Sequence, residues 1–191
     1  MSDTRNVSLV GVGGQGILLA SEILCRVGLL AGKDVKKSEV HGMAQRGGSV
    51  TSHVRFGDQV HSPTVPQGEA DFLVGFELLE CARWLDHLAP DGLVLSSRQR
   101  LDPLPVASGA VPYPAGLEEL IRGRCPGARL LDAVEIARQA GSVRAVNMTM
   151  LGALSRHLPF PQEAWRQGIG QRVPPKTLET NWTAFVAGTN A

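Results

Sequence analysis

Two short stretches of the sequence combine small residues with groups that could hold a ligand. Residues 11–16 read Gly-Val-Gly-Gly-Gln-Gly, and residues 38–49 read Ser-Glu-Val-His-Gly-Met-Ala-Gln-Arg-Gly-Gly-Ser. Glycine lets a ligand approach the backbone amides closely, because no side chain stands in the way. Amides at the start of a helix bind phosphate, and an arginine binds a carboxylate or a phosphate through two parallel hydrogen bonds. Both stretches therefore indicate recognition of an anion.

The first stretch fits the pattern G-x-G-x-x-G, which requires a strand before it and a helix after it. The apolar run 7–10 predicts the strand, and the apolar stripe that begins at Ile17 predicts the helix. In this setting Gly11 permits a tight turn, Gly13 admits a phosphate to the backbone, and Gly16 lets helix and strand pack closely. Apart from Val12, the stretch consists of Gly11, Gly13, Gly14, Gln15 and Gly16, and the amides at the start of the helix would face an anion.

The glycine pattern alone leaves three interpretations open. A site for NAD requires an acidic residue about twenty positions further on, at the end of the second strand. Asp34 and Glu39 bracket that position, but neither follows a strand in the usual way. The pattern is therefore compatible with dinucleotide binding, with a phosphate or CoA-type site, and with a tight turn that only supports the fold.

The second stretch places a carboxylate, an imidazole, an amide and a guanidinium among small residues. These groups belong to Glu39, His41, Gln45 and Arg46, and Gly47 and Gly48 follow directly. Small neighbours let polar side chains converge and let the backbone of a partner come close. The alternative is an exposed turn in which Arg46 pairs only with Glu39.

The cysteines and the overall composition exclude several classes of function. Cys25, Cys81 and Cys125 lie far apart and form no C-x-x-C pair, so we expect no zinc or iron–sulfur site in this chain. A formal net charge of +1 argues against a nucleic-acid-binding protein. No apolar run approaches the length of a membrane span, and the N-terminus has no signal-peptide core. We expect a cytoplasmic protein.

Strand-like and helix-like segments alternate along the sequence, which predicts a parallel sheet covered by helices. We expect one α/β domain over residues 1–191, with a Rossmann-like, mostly parallel sheet and helices on both faces. Predicted strands are 7–10, 34–39, 49–56, 71–76, 93–96 and 128–131. Predicted helices are 17–31, 77–88, 117–122, 134–141, 148–157, 162–171 and 176–187, with Asn147 as the cap of the fifth. Residues 98–116, with four prolines, receive no regular prediction.

Taken together, these motifs resemble a known family of enzyme subunits. The glycine run, the stretch from Ser38 to Val50 and the sequence from Glu69 to Glu77 are similar to the beta subunit of indolepyruvate:ferredoxin oxidoreductase. More widely, they resemble the gamma domain of pyruvate and ketoisovalerate ferredoxin oxidoreductases. The likeness continues from Asn147 and from Pro174 to Gly188, and leaves out only residues 98–116. The His-Gly-Met-Ala-Gln-Arg-Gly-Gly run favours the indolepyruvate branch.

The resemblance implies a heteromeric enzyme that decarboxylates a 2-oxoacid oxidatively, forms an acyl-CoA and CO2, and reduces ferredoxin. Its chemistry uses thiamine diphosphate and [4Fe-4S] clusters. This chain lacks cluster cysteines and the Gly-Asp-Gly start of a thiamine diphosphate motif, since residues 57–59 read Gly-Asp-Gln. We therefore expect these cofactors on a larger alpha subunit and none here. The alternative is a free-standing Rossmann-type protein that binds a nucleotide or NAD(P).

The resemblance also implies roles for the candidate residues, although it assigns no catalytic one. The glycine run becomes a candidate contact for the phosphates of CoA, which is the co-substrate. The candidates for a surface that faces the substrate or the partner are Glu39, His41, Gln45, Arg46, Gly47, Gly48 and Glu77.

Overall fold

The computed structural model describes residues 4–41 and 47–191. Within these ranges, six strands form a single sheet in the order β2-β3-β1-β4-β5-β6. The strands are β1 (Arg5–Val12), β2 (Asp34–His41), β3 (Ser49–Gly57), β4 (Ala70–Gly75), β5 (Leu88–Ser97) and β6 (Arg129–Leu131). Only β3 runs against the others, because it pairs antiparallel with both of its neighbours. The prediction of a mostly parallel sheet is confirmed.

Helices cover both faces of this sheet, as the sequence predicts. In the described part of the chain they are α1 (Ile17–Leu30), α2 (Leu78–Arg83), α3 (Leu104–Ala107), α4 (Leu117–Arg124), α5 (Ala133–Gln139), α6 (Val146–Ser155), α7 (Gln162–Gly170) and α8 (Leu178–Thr189). One core joins Val7 and Leu9 of β1 to α1 and to the helices from α5 to α8. The other core joins Val10 of β1 to α2 and α4. Strand β1 is apolar on both sides because both of its faces are buried.

The path of the chain gives β1 a special position. After β1 the chain passes through α1 to β2 and β3, which lie on one side of it, and then places β4 on the other side. The carboxyl ends of β1 and β4 are therefore neighbours, with Val10 opposite Gly75. Open α/β sheets bind ligands in the crevice at such a point, where the strand order reverses. We call it the switch point.

Two predicted helices differ from the observed ones. Asn147 does not cap a helix but lies in the first turn of α6, which follows a 3₁₀ turn at Val143–Ala145. Its side chain is buried and donates a hydrogen bond to the carbonyl of Gly16 (3.3 Å), so its role is tertiary. The predicted helix 77–88 ends at Arg83 and continues as a 3₁₀ turn at Leu85–His87.

Candidate functional site

The glycine loop joins β1 to α1 at the switch point. The structural roles of its glycines differ from the predicted ones. Gly11 is not at the turn: it lies within β1 opposite Val50, and a Cβ there would lie 2.7 Å from Oε1 of Gln15. The turn is made by Gly14 and Gly16, whose φ angles of 105° and 77° suit glycine. Gly16 packs against α6 and not against a strand, since a Cβ would meet Asn147 Nδ2 at 2.6 Å.

Gln15 holds the glycine loop in shape through its own side chain. Its Oε1 accepts a hydrogen bond from the amide of Val12 (2.8 Å). Its Nε2 donates to the carbonyl of Phe76 (2.7 Å) and to Oε1 of Gln99 (2.9 Å). The side chain therefore spans the switch point and connects the carboxyl ends of β1, β4 and β5.

The glycine loop is also bonded directly to the end of the second motif. The amide of Gly13 donates to the carbonyl of Gly48 (2.8 Å), and the amide of Gly47 donates to the carbonyl of Gly13 (3.4 Å). Gly47 has a φ of 77°, where glycine is favoured. These bonds extend the β1–β3 pairing by two residues. Two stretches that are separate in the sequence are therefore adjacent in the fold.

Other parts of the second motif are described in less detail. The backbone of His41 closes β2 opposite Val50, but its side chain and residues 42–46, with Gln45 and Arg46, lie outside the described part of the chain. Glu39 is partly buried and forms an ion pair with Lys37. Burial raises the pKa of the nearby Cys25 thiol to about 11, so this thiol is protonated at neutral pH.

Glu77 does not face a surface, which corrects the expectation for this residue. Its side chain is buried, and its Oε2 accepts from the amide of Glu80 (2.8 Å) as the N-cap of α2. Its Oε1 accepts from the amide of Leu101 (3.2 Å) and from the hydroxyl of Tyr113 (2.7 Å). Burial and the bond to this carboxylate raise the pKa of Tyr113, so the phenol remains a donor.

The sequence analysis missed the residues that support this edge of the sheet. The hydroxyl of Ser49 donates to Oε2 of Glu80 (2.6 Å), and Arg83 pairs with Oε1 of Glu80 at 2.7 Å. Leu101 and Tyr113 belong to the proline-containing segment for which no structure was predicted. The helix start at Glu77 was predicted, and an acidic residue at this position and at Glu80 is typical of a helix N-terminus, but neither signal indicates the contacts with Ser49, Leu101 and Tyr113.

Comparison with known proteins identifies the family. Residues 6–191 match the family described as pyruvate ferredoxin/flavodoxin oxidoreductase. The chain belongs to this family. It is 40% identical to the indolepyruvate oxidoreductase subunit IorB of Pyrococcus horikoshii and 38% identical to that of Thermococcus kodakarensis. Each alignment covers 97% of this chain and 95% of the relative.

A solved structure supports the fold independently. Pyruvate oxidoreductase subunit PORC of Thermotoga maritima superposes with a TM-score of 0.74 at 24% identity, over 99% of this chain and 97% of that one. The family resemblance inferred from the motifs is confirmed. The comparisons favour an oxidoreductase subunit over a free-standing NAD(P)-binding protein.

Across residues 4–41 and 47–191, no three His, Cys, Asp or Glu side chains lie close enough together to hold a metal ion. In the same ranges, no helix combines the length and the apolar character that crossing a membrane requires.

Proposed function

We propose that the chain is the small subunit of a heteromeric, cytoplasmic indolepyruvate or other aryl-pyruvate:ferredoxin oxidoreductase. With a larger alpha subunit it would convert the 2-oxoacid to an acyl-CoA and CO2, and ferredoxin would take the electrons. The names of the relatives at 38% and 40% identity support this branch of the family. The observation that carries the proposal is the pair of bonds between Gly13 and residues 47–48. These bonds connect the glycine loop to residues 47–48, which end the second motif.

The residues of this chain do not fit the redox cofactors that the family implies. Burial raises the pKa of Cys25 to about 11 and that of Cys81 to about 12, whereas a cluster needs thiolate ligands. In place of a thiamine diphosphate motif, Gly57 ends β3 and Asp58 pairs with Lys33 at the surface. We therefore assign thiamine diphosphate and the [4Fe-4S] clusters to the larger subunit.

The part proposed for this chain is to complete one wall of the active site and to hold the phosphates of CoA. The amides of Gly13 and Gln15 are already bonded to Gly48 and Val12. Phosphate contacts therefore fall to Gly14, Gly16 and the first turn of α1. That turn has no acidic residue, so the positive end of the helix dipole remains uncompensated and suits an anion.

Arg46 provides the test of this proposal. We expect Arg46→Ala to leave the melting temperature of the isolated subunit nearly unchanged, because the proposed partner of its charge belongs to the larger subunit. In the complex reconstituted with the larger subunit, it should lower turnover or weaken assembly at least tenfold, because one partner of a buried ion pair is lost. The assay is indolepyruvate-dependent reduction of a viologen dye with CoA present.

Arg122→Ala is the matched control, because Arg122 is exposed on α4 and lies outside both motifs. It should assemble and turn over like the wild type. Equal rates and equal co-elution for Arg46→Ala would remove Arg46 from the interface. Binding of NADH by the isolated wild-type chain, without assembly with the larger subunit, would instead favour the free-standing nucleotide-binding protein.

A further inference from the structure

Two carboxylates are buried within one turn at the start of α2. Glu77 is 1% exposed and Glu80 is 4% exposed. Burying an ionised carboxylate is costly unless hydrogen bonds replace its water. Each of these side chains accepts one hydrogen bond or more from a part of the chain that is distant in sequence, and at least one from within its own turn. Their contacts therefore indicate a structural role beyond capping α2, which has only six residues.

Glu80 fixes the start of β3. Its Oε2 accepts from the hydroxyl of Ser49 (2.6 Å), while Arg83 pairs with its Oε1 (2.7 Å). Ser49 follows Gly47 and Gly48, which are bonded to Gly13 of the glycine loop. We call residues 47–49 the β3 entry. The β3 entry is therefore held by Glu80 through a side-chain hydrogen bond and by Gly13 through backbone hydrogen bonds.

Glu77 closes a loop of the proline-containing segment. Its Oε1 accepts from Leu101 and from Tyr113, so both ends of residues 101–113 meet at a single oxygen atom. We call these residues the edge loop. The guanidinium of Arg100 lies 4.2 Å over the ring of Tyr113 and covers this junction. No charged residue occurs from 103 to 117, and Leu104 is 81% exposed.

The two carboxylates are also linked to each other and to the glycine loop. The amide of Glu80 donates to Oε2 of Glu77 (2.8 Å). One residue earlier, the carbonyl of Phe76 accepts from Gln15, whose side chain also reaches Gln99 beside the edge loop. Residues 76–80, at the start of α2, thus contact three segments around the switch point: the glycine loop, the β3 entry and the edge loop.

We propose that Glu77 and Glu80 are positioning residues of the oxidoreductase complex. They hold the edge loop and the β3 entry in fixed positions relative to the glycine loop. The larger subunit and the substrate would contact these three segments in that arrangement. This inference rests on the proposed function. A carboxylate is required because each residue accepts hydrogen bonds on both oxygens. An amide offers one acceptor oxygen and no charge, so in Glu80→Gln the hydrogen bond with Ser49 must reverse its direction and the ion pair with Arg83 is lost.

The test compares variants that release each segment separately. Ser49→Ala and Glu80→Gln should raise amide hydrogen exchange at residues 47–51 at least tenfold in the full chain, with little change at 101–113. Tyr113→Phe should do the reverse. In the reconstituted enzyme, each of the three should lower kcat/KM for the 2-oxoacid at least fivefold, at a temperature where all variants are folded. Ser49→Thr keeps the hydroxyl and should restore both values.

Glu135→Gln is the matched control for Glu80→Gln. Glu135 also pairs with an arginine three residues later, Arg138, but this pair is exposed on α5. It should leave exchange at both segments and turnover unchanged. If the Ser49 and Glu80 variants raise exchange but turn over like the wild type, the two carboxylates are structural only and the inference is overturned. Unchanged exchange overturns it as well. If the wild-type complex shows no 2-oxoacid-dependent reduction, the proposed function fails first and the inference falls with it.

Discussion

At the scale of single residues, the side chain of Gln15 determines what the switch point can accept. In a dinucleotide site the crevice between the first strand and its neighbour is left open for the ligand. Here the Gln15 amide occupies that position, with bonds to Val12, Phe76 and Gln99. A dinucleotide would have to displace three hydrogen bonds, and each buried group left unpaired costs about 1–3 kcal/mol. The crevice therefore suits a phosphate bound at its outer edge better than a nucleotide bound between the strand ends.

His53 should make the stability of the subunit depend on pH. Its ring is buried, and its Nδ1 accepts from the amide of Val65 (3.1 Å). Burial, the nearby His87 and Arg55 lower the pKa of His53. The unfolded chain then takes up a proton near pH 6.5, while the folded chain resists it. Stability is therefore complete above about pH 6.5 and is lost as the pH falls through the lower, folded value.

The measurement is the urea unfolding midpoint between pH 7.5 and 5. We expect it to fall across this range in the wild type and to fall less in His53→Gln, which removes the titrating group and keeps an acceptor for Val65. Some dependence should remain, because the pKa values of His87 and His157 are lowered as well. An identical slope for the variant and the wild type would show that His53 is not the source.

At the scale of elements, the crossing of α6 and α8 depends on glycine in both helices. A Cβ on Gly152 would lie 2.0 Å from the carbonyl oxygen of Phe185, and one on Gly188 would lie 2.0 Å from that of Thr149. Both obstacles are backbone atoms, so a rotamer change cannot relieve the clash. Asn147 in the first turn of α6 donates a hydrogen bond to the carbonyl of Gly16, so α6 connects this crossing to the glycine loop.

We therefore expect Gly152→Ala to destabilise the fold by about 3 kcal/mol or more, since overpacking against backbone forces the two helices apart. Chemical denaturation of the isolated chain would measure it. Gly123→Ala is the control: Gly123 lies in α4 with open space around its Cβ position, and alanine is the better helix former. That variant should be more stable by about 0.5–1 kcal/mol. A loss below 1 kcal/mol for Gly152→Ala would mean that the helices separate at little cost.

The elements also show where reasoning from sequence succeeds and where it stops. Helix α1 was predicted at 17–31 and is observed at Ile17–Leu30, because its apolar stripe is a local pattern. The six strands were predicted for the same reason. Residues 98–116 were not, since their position depends on Glu77, which lies 24 and 36 residues from its partners Leu101 and Tyr113. Asn147 fits an N-cap locally, yet its contact with Gly16 spans 131 residues.

In the candidate site, too, local features could be predicted from the sequence and long-range contacts could not. The two motifs could be recognised in the sequence, because their residue types carry the chemistry. Their adjacency through Gly13 and Gly48 could not, because it depends on the register of β1 against β3. The hydrogen bond between Ser49 and Glu80 could not be predicted from the sequence either, since the two residues are 31 positions apart. Pairing register and long-range contacts are tertiary properties, and a single sequence gives no direct signal of them.

At the scale of the whole molecule, the glycine loop, the β3 entry and the edge loop lie at the edge of the sheet where the parallel strands end. Under the proposed function, this edge would form one wall of the active site, and the larger subunit would hold the reactive cofactors. The contribution of this chain would then appear in the binding constants of the complex more than in any property of the isolated subunit.

Gly13→Val tests this contribution, because Gly13 lies at the junction of the two motifs. Its φ is not in the left-handed region, so valine causes no backbone strain there, and the bonds to residues 47–48 use only backbone atoms. We expect the variant to fold with a melting temperature near that of the wild type. Its branched side chain would stand where a phosphate approaches the loop, so the KM for CoA in the reconstituted enzyme should rise at least tenfold. Gly127→Val, at a position with open space around it, should change neither value. An unchanged KM for CoA with a normal melting temperature would show that the glycine loop serves the fold alone, and that the phosphates of CoA are held entirely by the larger subunit.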